Sequence, residues 1–141
     1  AVLTAAETGH LVLATLHSND AVQAIDRIVD VFNSHQQGQA RAQLASSLLG
    51  VVSQRLLPKK GGGLVPAFEM MVATPAIRNL IRESKLHQAR GTMEASRRDG
   101  MCTMDMALRE LYESGRVEYE DVLRYLDNPR AISAPTGSII R

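Results

Sequence analysis

The chain of 141 residues holds a single cysteine, Cys102, so no disulfide can form within it, and a reducing compartment is the default expectation. Its net charge is only +1, which gives no electrostatic case for nucleic acid or for direct membrane insertion. No apolar run approaches the roughly 20 residues needed to span a bilayer, and no signal peptide is visible. There is no CxxC pair, no internal repeat and no low-complexity block. The only glycine run, Gly61–Gly63, is not a phosphate loop. It lacks the GxxxxGK[ST] form, and it sits between two expected strands, not between a strand and a helix. No nucleotide-phosphate motif occurs anywhere in the 141 residues.

What is there suits a globular chain of one domain or slightly more: 45% hydrophobic and 22% charged residues. The opening "AVLTAAETGH" reads as the last turns of a helix, with Gly9 in the left-handed capping position. A domain seldom begins there, so the chain is expected to be part of a longer one. Residues 11–16 are apolar apart from one threonine and small residues, without alternation. That pattern predicts a strand buried on both faces, inside a parallel sheet. Asp20 then caps a helix, with Gln23 three residues on, and Val22, Ile25, Ile28, Val29 and Phe32 form one apolar stripe over 20–32. A second helix is expected over about 37–52, then strands at about 53–58 and 64–72 joined by the glycine turn. From Thr74-Pro75, a cap and a first-turn proline, the chain reads as all-helical, near 75–83, 86–97, 103–114 and 118–127. The last residues carry no periodic apolar face and are expected to be mobile.

Candidate chemistry centres on "HLVLATLHSND", residues 10–20. A metal held by His10 and His17 fails on geometry. In a strand, seven steps at about 3.3 Å separate them by roughly 23 Å and point them to opposite faces, whereas zinc needs its ligands about 2 Å from one point. His17 alone lies where the strand would end and a helix begin, and ligands of open parallel sheets bind beyond that end. There, beside Ser18 and Asn19, it could hydrogen-bond a phosphate oxygen or an attacking water. It could equally be satisfied by neighbouring backbone. His35 and His87 read as surface residues. Arg27 sits with Asp26 and Asp30 on a polar helix face that is either solvated or turned to a neighbouring subunit or a phosphate. Arg78 and Arg82 are four residues apart on one face, where like charges repel. An acidic partner would explain them, as would solvation. Met101, Met104 and Met106 are either core filling or an adaptable surface.

Several long stretches, in order, resemble one family, the bacterial secretion and pilus ATPases. "AAETGHLVLATLHSNDA" is similar to their histidine box, and "IDRIVDVF" follows in the expected place. Ala76-Ile77-Arg78-Asn79-Leu80-Ile81-Arg82-Glu83 matches the AIRNLIRE motif of the retraction branch, and "GMCTMDMALRELYESGRV" resembles the C-terminal segment. The likeness covers nearly all of residues 1–128. Extension ATPases carry a four-cysteine zinc module after the segment equivalent to "SQRLLPK", where this chain has only "KGGG". The chain therefore resembles the retraction-type PilT/PilU branch, with accessory, PilU-like behaviour left open.

The resemblance implies an α/β fold: the second half of a RecA-like P-loop ATPase core (1–73), a small all-helical C-terminal unit (74–128) and a tail (129–141). It implies a cytoplasmic homo-hexamer, peripheral to the inner membrane at the pilus base. That ring hydrolyses ATP with Mg²⁺ to power pilus retraction and twitching motility, and docks to an inner-membrane platform protein. His17 corresponds to the histidine that senses the γ-phosphate. His10, Gly9 and Thr15 correspond to structural positions of the box, and residues 76–83 to an element that transmits nucleotide state. The Walker A loop, acidic box and Walker B segment precede this point in the family and are not in the sequence. The 141 residues alone are thus expected to bind ATP weakly and not to hydrolyse it. The alternative is a non-catalytic module for subunit contacts or docking.

Overall fold

The computed structural model describes residues 2–134. Seven helices and one hairpin follow in order: α1 (Val2–Glu7), α2 (Ala21–Asp30), α3 (Gln37–Ser47), β1 (Gly50–Pro58), β2 (Leu64–Val72), α4 (Pro75–Arg82), α5 (Ala89–Ala95), α6 (Met104–Glu113) and α7 (Tyr119–Leu123). Short 3₁₀ turns occur at Leu86–Gln88, Arg97–Asp99 and Pro129–Ala131. The fold is mixed α/β, as the sequence implied.

Local chemistry sets most boundaries. Gly9 takes φ +91° after α1. Its N–H donates to Ala6 and that of His10 to Ala5, the paired bonds of a Schellman end. Asp20 caps α2 by accepting from the Gln23 N–H at 2.8 Å, Thr74 caps α4 at 3.4 Å and Thr103 caps α6 at 3.3 Å. The α3 helix is shorter than expected. It stops at Ser47, and Leu48 turns extended, because Gly50 already pairs with Val72. A Cβ at Gly50 would lie 2.9 Å from the Met71 carbonyl oxygen, so only glycine allows the ladder to close there. Leu49 and Val52, inside the expected span of that helix, lie beyond it and are exposed.

β1 and β2 are antiparallel in the register Gly50↔Val72 to Pro58↔Leu64. The turn between them places Gly61, Gly62 and Gly63 at φ +84°, +108° and +79°, a run of conformations open to glycine and costly to other residues. One hairpin face is buried through Ser53, Leu57, Val65, Ala67, Glu69 and Met71. That face serves two apolar clusters. Met71 joins α1 to α5 through Ile25, Val29, Leu44, Ile77, Ile81 and Met93. Leu57, Val65 and Ala67 join α6 and α7 through Leu108, Val117 and Val122. Each cluster draws on residues from both sides of Thr74. Met101 and Met104 are core residues. Ile132, in the expected tail, is buried in the second cluster, while Pro129 and Arg130 are exposed. Residues 135–141 of that tail lie outside the described residues.

The expected strand at 11–16 is absent. Residues 10–18 form no regular element, and Leu11 and Leu13 are 75% and 89% exposed. A buried parallel strand takes its hydrogen bonds and cover from strands on both sides. Among the described residues no strand lies beside it, and the only sheet is the hairpin.

α4 ends at a strained residue. Ser84 has φ +57°, and the N–H groups of Ser84 and Lys85 donate back to Ile81 and Leu80. A left-handed non-glycine residue costs about 1 kcal/mol. Ser84→Gly is expected to stabilise the chain by about 0.5–1 kcal/mol in urea unfolding. A loss of stability would show that the serine side chain has a role beyond the cap.

Candidate functional site

The loop over residues 10–20 is anchored at both ends and exposed between them. At its start, the His10 Nδ1 lies 3.2 Å from the Thr8 hydroxyl and 3.2 Å from the Ala5 carbonyl oxygen. His10 thus folds onto the end of α1, next to Gly9. Thr15 and His17 are exposed. Among the described residues the His17 ring has no hydrogen-bond partner, so the backbone-satisfied reading of it does not hold. Its imidazole is free to meet another group. No cluster of three metal-type side chains occurs among the described residues.

Where the loop meets α2, two charged side chains of the hairpin hold it. Glu69 is 5% exposed. It accepts from the Ala21 N–H at 2.7 Å and from the Met104 N–H at 3.1 Å. One carboxylate thereby satisfies the first helical residue of both α2 and α6, where the helix dipoles favour negative charge. The chain is brought to this point by a bridge at the β2 edge, Met70 to Cys102, with bonds of 2.8 and 3.0 Å. On β1, the Arg55 guanidinium lies 3.5 Å from the Asn19 carbonyl oxygen and 5.3 Å from the centre of the Tyr125 ring.

A cavity of about 300 Å³ opens beside Glu69, lined among others by Asp20, Gln23, His87, Arg90 and Thr103. Burial raises the Glu69 pKa above the ordinary 4.5. The bonds from Ala21 and Met104 and the charge of Arg90 pull it down, and Asp20 adds to the rise. Arg90 is held on the far side by Asp105, at 3.5 Å, and by Asp127. Asp105 in turn accepts from the N–H groups of Asp127 and Asn128 at 2.9 and 3.1 Å.

The segment 76–83 divides by face. Ile77 and Ile81 are fully buried, and Leu80 packs against them. Ala76, Asn79, Arg82 and Glu83 are exposed. Arg78 does not share a free basic face with Arg82. Its Nη1 donates to the carbonyls of Ala45 and Ser46, the latter at 2.9 Å, and so covers the C-terminal end of α3. Glu83 accepts from Asn79 at 3.1 Å and pairs with Lys85 at 2.7 Å; the hydrogen bond from Lys85 is the main cause that lowers its pKa. Arg27 is exposed on α2, away from the buried residues of that helix.

Residues 1–125 match the family model described as type II/IV secretion system protein. The chain belongs to that family. Among its members, the type IV pilus retraction ATPase PilT of Pseudomonas aeruginosa is 49% identical over 119 residues, covering 84% of this chain and 35% of that protein. A twitching motility protein of Neisseria gonorrhoeae is 43% identical over 132 residues, covering 93% and 35%. The crystal structure of the pilus retraction motor PilT with bound ADP superposes at a TM-score of 0.83 with 46% identity, covering 93% of this chain and 36% of that one. This family member thus spans about a third of the length of the curated relatives it matches.

The sequence reading missed Glu69, Arg55 and the Arg78 cap. Glu69 had a signal: in Val65, Ala67, Glu69, Met71 a carboxylate occupies the inward phase of an alternating strand. Replacing it by alanine leaves two buried N–H groups unmet, and Glu69→Ala is expected to cost about 2–4 kcal/mol at neutral pH. The native state holds the Glu69 proton more tightly than the unfolded chain does. Its contribution is therefore complete below pH 4.5 and declines as pH rises through the higher native value. Glu69→Gln removes that slope, so the stability gap between wild type and Glu69→Gln is expected to narrow above pH 4.5. A gap that widens in urea titrations across pH would overturn the assignment.

Proposed function

We propose that this chain is the C-terminal part of a longer ATP-hydrolysing motor of the pilus retraction type. The observation that carries this reading is the superposition on the ADP-bound retraction motor, at a TM-score of 0.83 over 93% of the chain. In this reading residues 1–73 complete an ATPase core, 74–128 form its helical C-terminal unit, and the working assembly is a hexameric ring on the cytoplasmic side of the inner membrane, engaging a platform protein there.

His17 is the residue through which the chain meets the nucleotide. Its free, exposed imidazole, at a loop end beside Ser18 and Asn19, suits a hydrogen bond to the γ-phosphate. His10, Gly9 and Thr15 keep the loop's course: Gly9 supplies the left-handed turn and His10 the contact with α1. Arg27 is available on the α2 surface to a phosphate or a neighbouring subunit. The segment 76–83 acts through packing. Ile77 and Ile81 bind α4 into the first cluster, and Arg78 fastens it to α3, so α4 and α3 move together. Arg82 remains the exposed cation for contacts outside the chain.

The residues present do not by themselves make a nucleotide site. The 141 residues contain no phosphate-cradling glycine loop with its lysine, and the described residues contain no cluster of three or more His, Cys, Asp or Glu that could hold a metal ion. The reading therefore assigns those parts, and ATP with Mg²⁺, to the rest of the longer protein. The purified 141-residue chain is expected to show no ATP turnover. In the longer protein, His17→Ala is expected to lower ATP turnover by about 10² or more, with the fold intact by circular dichroism. Unchanged turnover in His17→Ala would overturn the role of His17. Turnover by the 141 residues alone would overturn the division of the site and favour a self-sufficient activity.

A further inference from the structure

The hairpin carries two opposite charges on its inner side, and each touches the same two parts of the molecule. Glu69 on β2 bonds Ala21 at the end of the loop and Met104 at the start of α6. Arg55 on β1 contacts Asn19 in the loop and Tyr125 just after α7. Arg55 pairs with Ala67 and Ser53 with Glu69, so the two charged residues lie one inward step apart along the hairpin. The apolar packing does not make this connection. The cluster that holds α2 and the cluster that holds α6 and α7 are separate, and Glu69 sits in the strand between Ala67 of one and Met71 of the other.

We infer that Glu69 and Arg55 form a two-point clamp that fixes residues 17–21 relative to α6 and α7, with Glu69 the positioning residue for His17. The consequence for His17 rests on the nucleotide-sensing role proposed above; the clamp itself does not. A shift of the loop on a change of nucleotide is then passed to the C-terminal helices through two side chains, not through a continuous core. The double acceptance is the essential feature. Glutamine keeps one carbonyl acceptor and replaces the other by a donor, so it can serve only one of the two N–H groups.

Amide hydrogen exchange on the longer protein, without nucleotide, tests the clamp. In Glu69→Gln, and more in Glu69→Ala, the amides of 19–23 and of 104–106 are expected to lose protection together, about tenfold, while those of α3 and α4 keep theirs. Arg55→Ala is expected to loosen 17–21 and 123–126 together. Leu111→Ala, which destabilises the second cluster alone, serves as the control and is expected to leave 17–21 unchanged. Loss of protection at only one of the two ends, at neither, or equally in the Leu111→Ala control would overturn the clamp.

Turnover in the longer protein tests its consequence. There Glu69→Gln is expected to lower kcat for ATP about tenfold with little change in KM. If His17→Ala abolishes turnover and Glu69→Gln leaves kcat unchanged, the positioning role falls while the nucleotide-sensing reading stands. If His17→Ala has no effect but the exchange coupling is present, that reading falls and the clamp remains as a mechanical link.

Discussion

One buried carboxylate joins the starts of two helices to the hairpin. Glu69 lies on the inner face of the only sheet among the described residues, with apolar side chains before and after it on the strand. Burying its charge is unfavourable, and its raised pKa records that. What makes the position tenable is the pair of helix starts that converge on it. Each contributes an N–H that has no partner within its own helix, and each carries the positive end of a helix dipole. The need is mutual: the carboxylate requires donors, and two helices separated by more than 80 positions in the chain require an acceptor. Other features are arranged around this point. The Met70–Cys102 bridge delivers the chain to it, Thr103 turns the backbone into α6, and Asp20 does the same for α2.

The same logic governs the other charged residues that matter. Arg78 sits in α4, and its guanidinium closes the C-terminal end of α3. Asp105 collects the backbone of Asp127 and Asn128, and Arg90 spans Asp105 and Asp127. Charged side chains here bind helix ends and connections to one another, while the apolar clusters stay on either side of Glu69. Both clusters are built on the same hairpin, and Glu69 and Arg55 add polar contacts where they adjoin.

The loop at 10–18 shows how far a local pattern depends on its surroundings. Its composition is that of a central parallel strand, and its exposed leucines are consistent with an element that needs neighbours. The family relatives are about three times longer than this chain, and among the described residues no strand lies beside the loop. The stretch nevertheless keeps its anchors: Gly9 and His10 on α1, Asn19 and Ala21 on the hairpin. His17 is therefore suspended between two fixed points, exposed and free to bond.

The amino-acid sequence by itself determined the short-range features. Helix caps at Asp20 and Thr74, the left-handed turn at Gly9 and the glycine turn at Gly61–Gly63 are set by residues within a few positions of one another, and these were legible without coordinates. The long stretches that resemble the family were legible in the same way, and the comparisons bear out the family. Tertiary structure decided the rest. That α3 stops at Ser47 follows from the pairing of Gly50 with Val72, and that Arg78 is an internal clasp follows from where α3 ends. Glu69 stands in the inward phase of β2, and its two partners lie 48 and 35 residues away. Which groups meet across such separations is fixed by packing and by the requirement that every buried donor find an acceptor, and no local pattern carries that information.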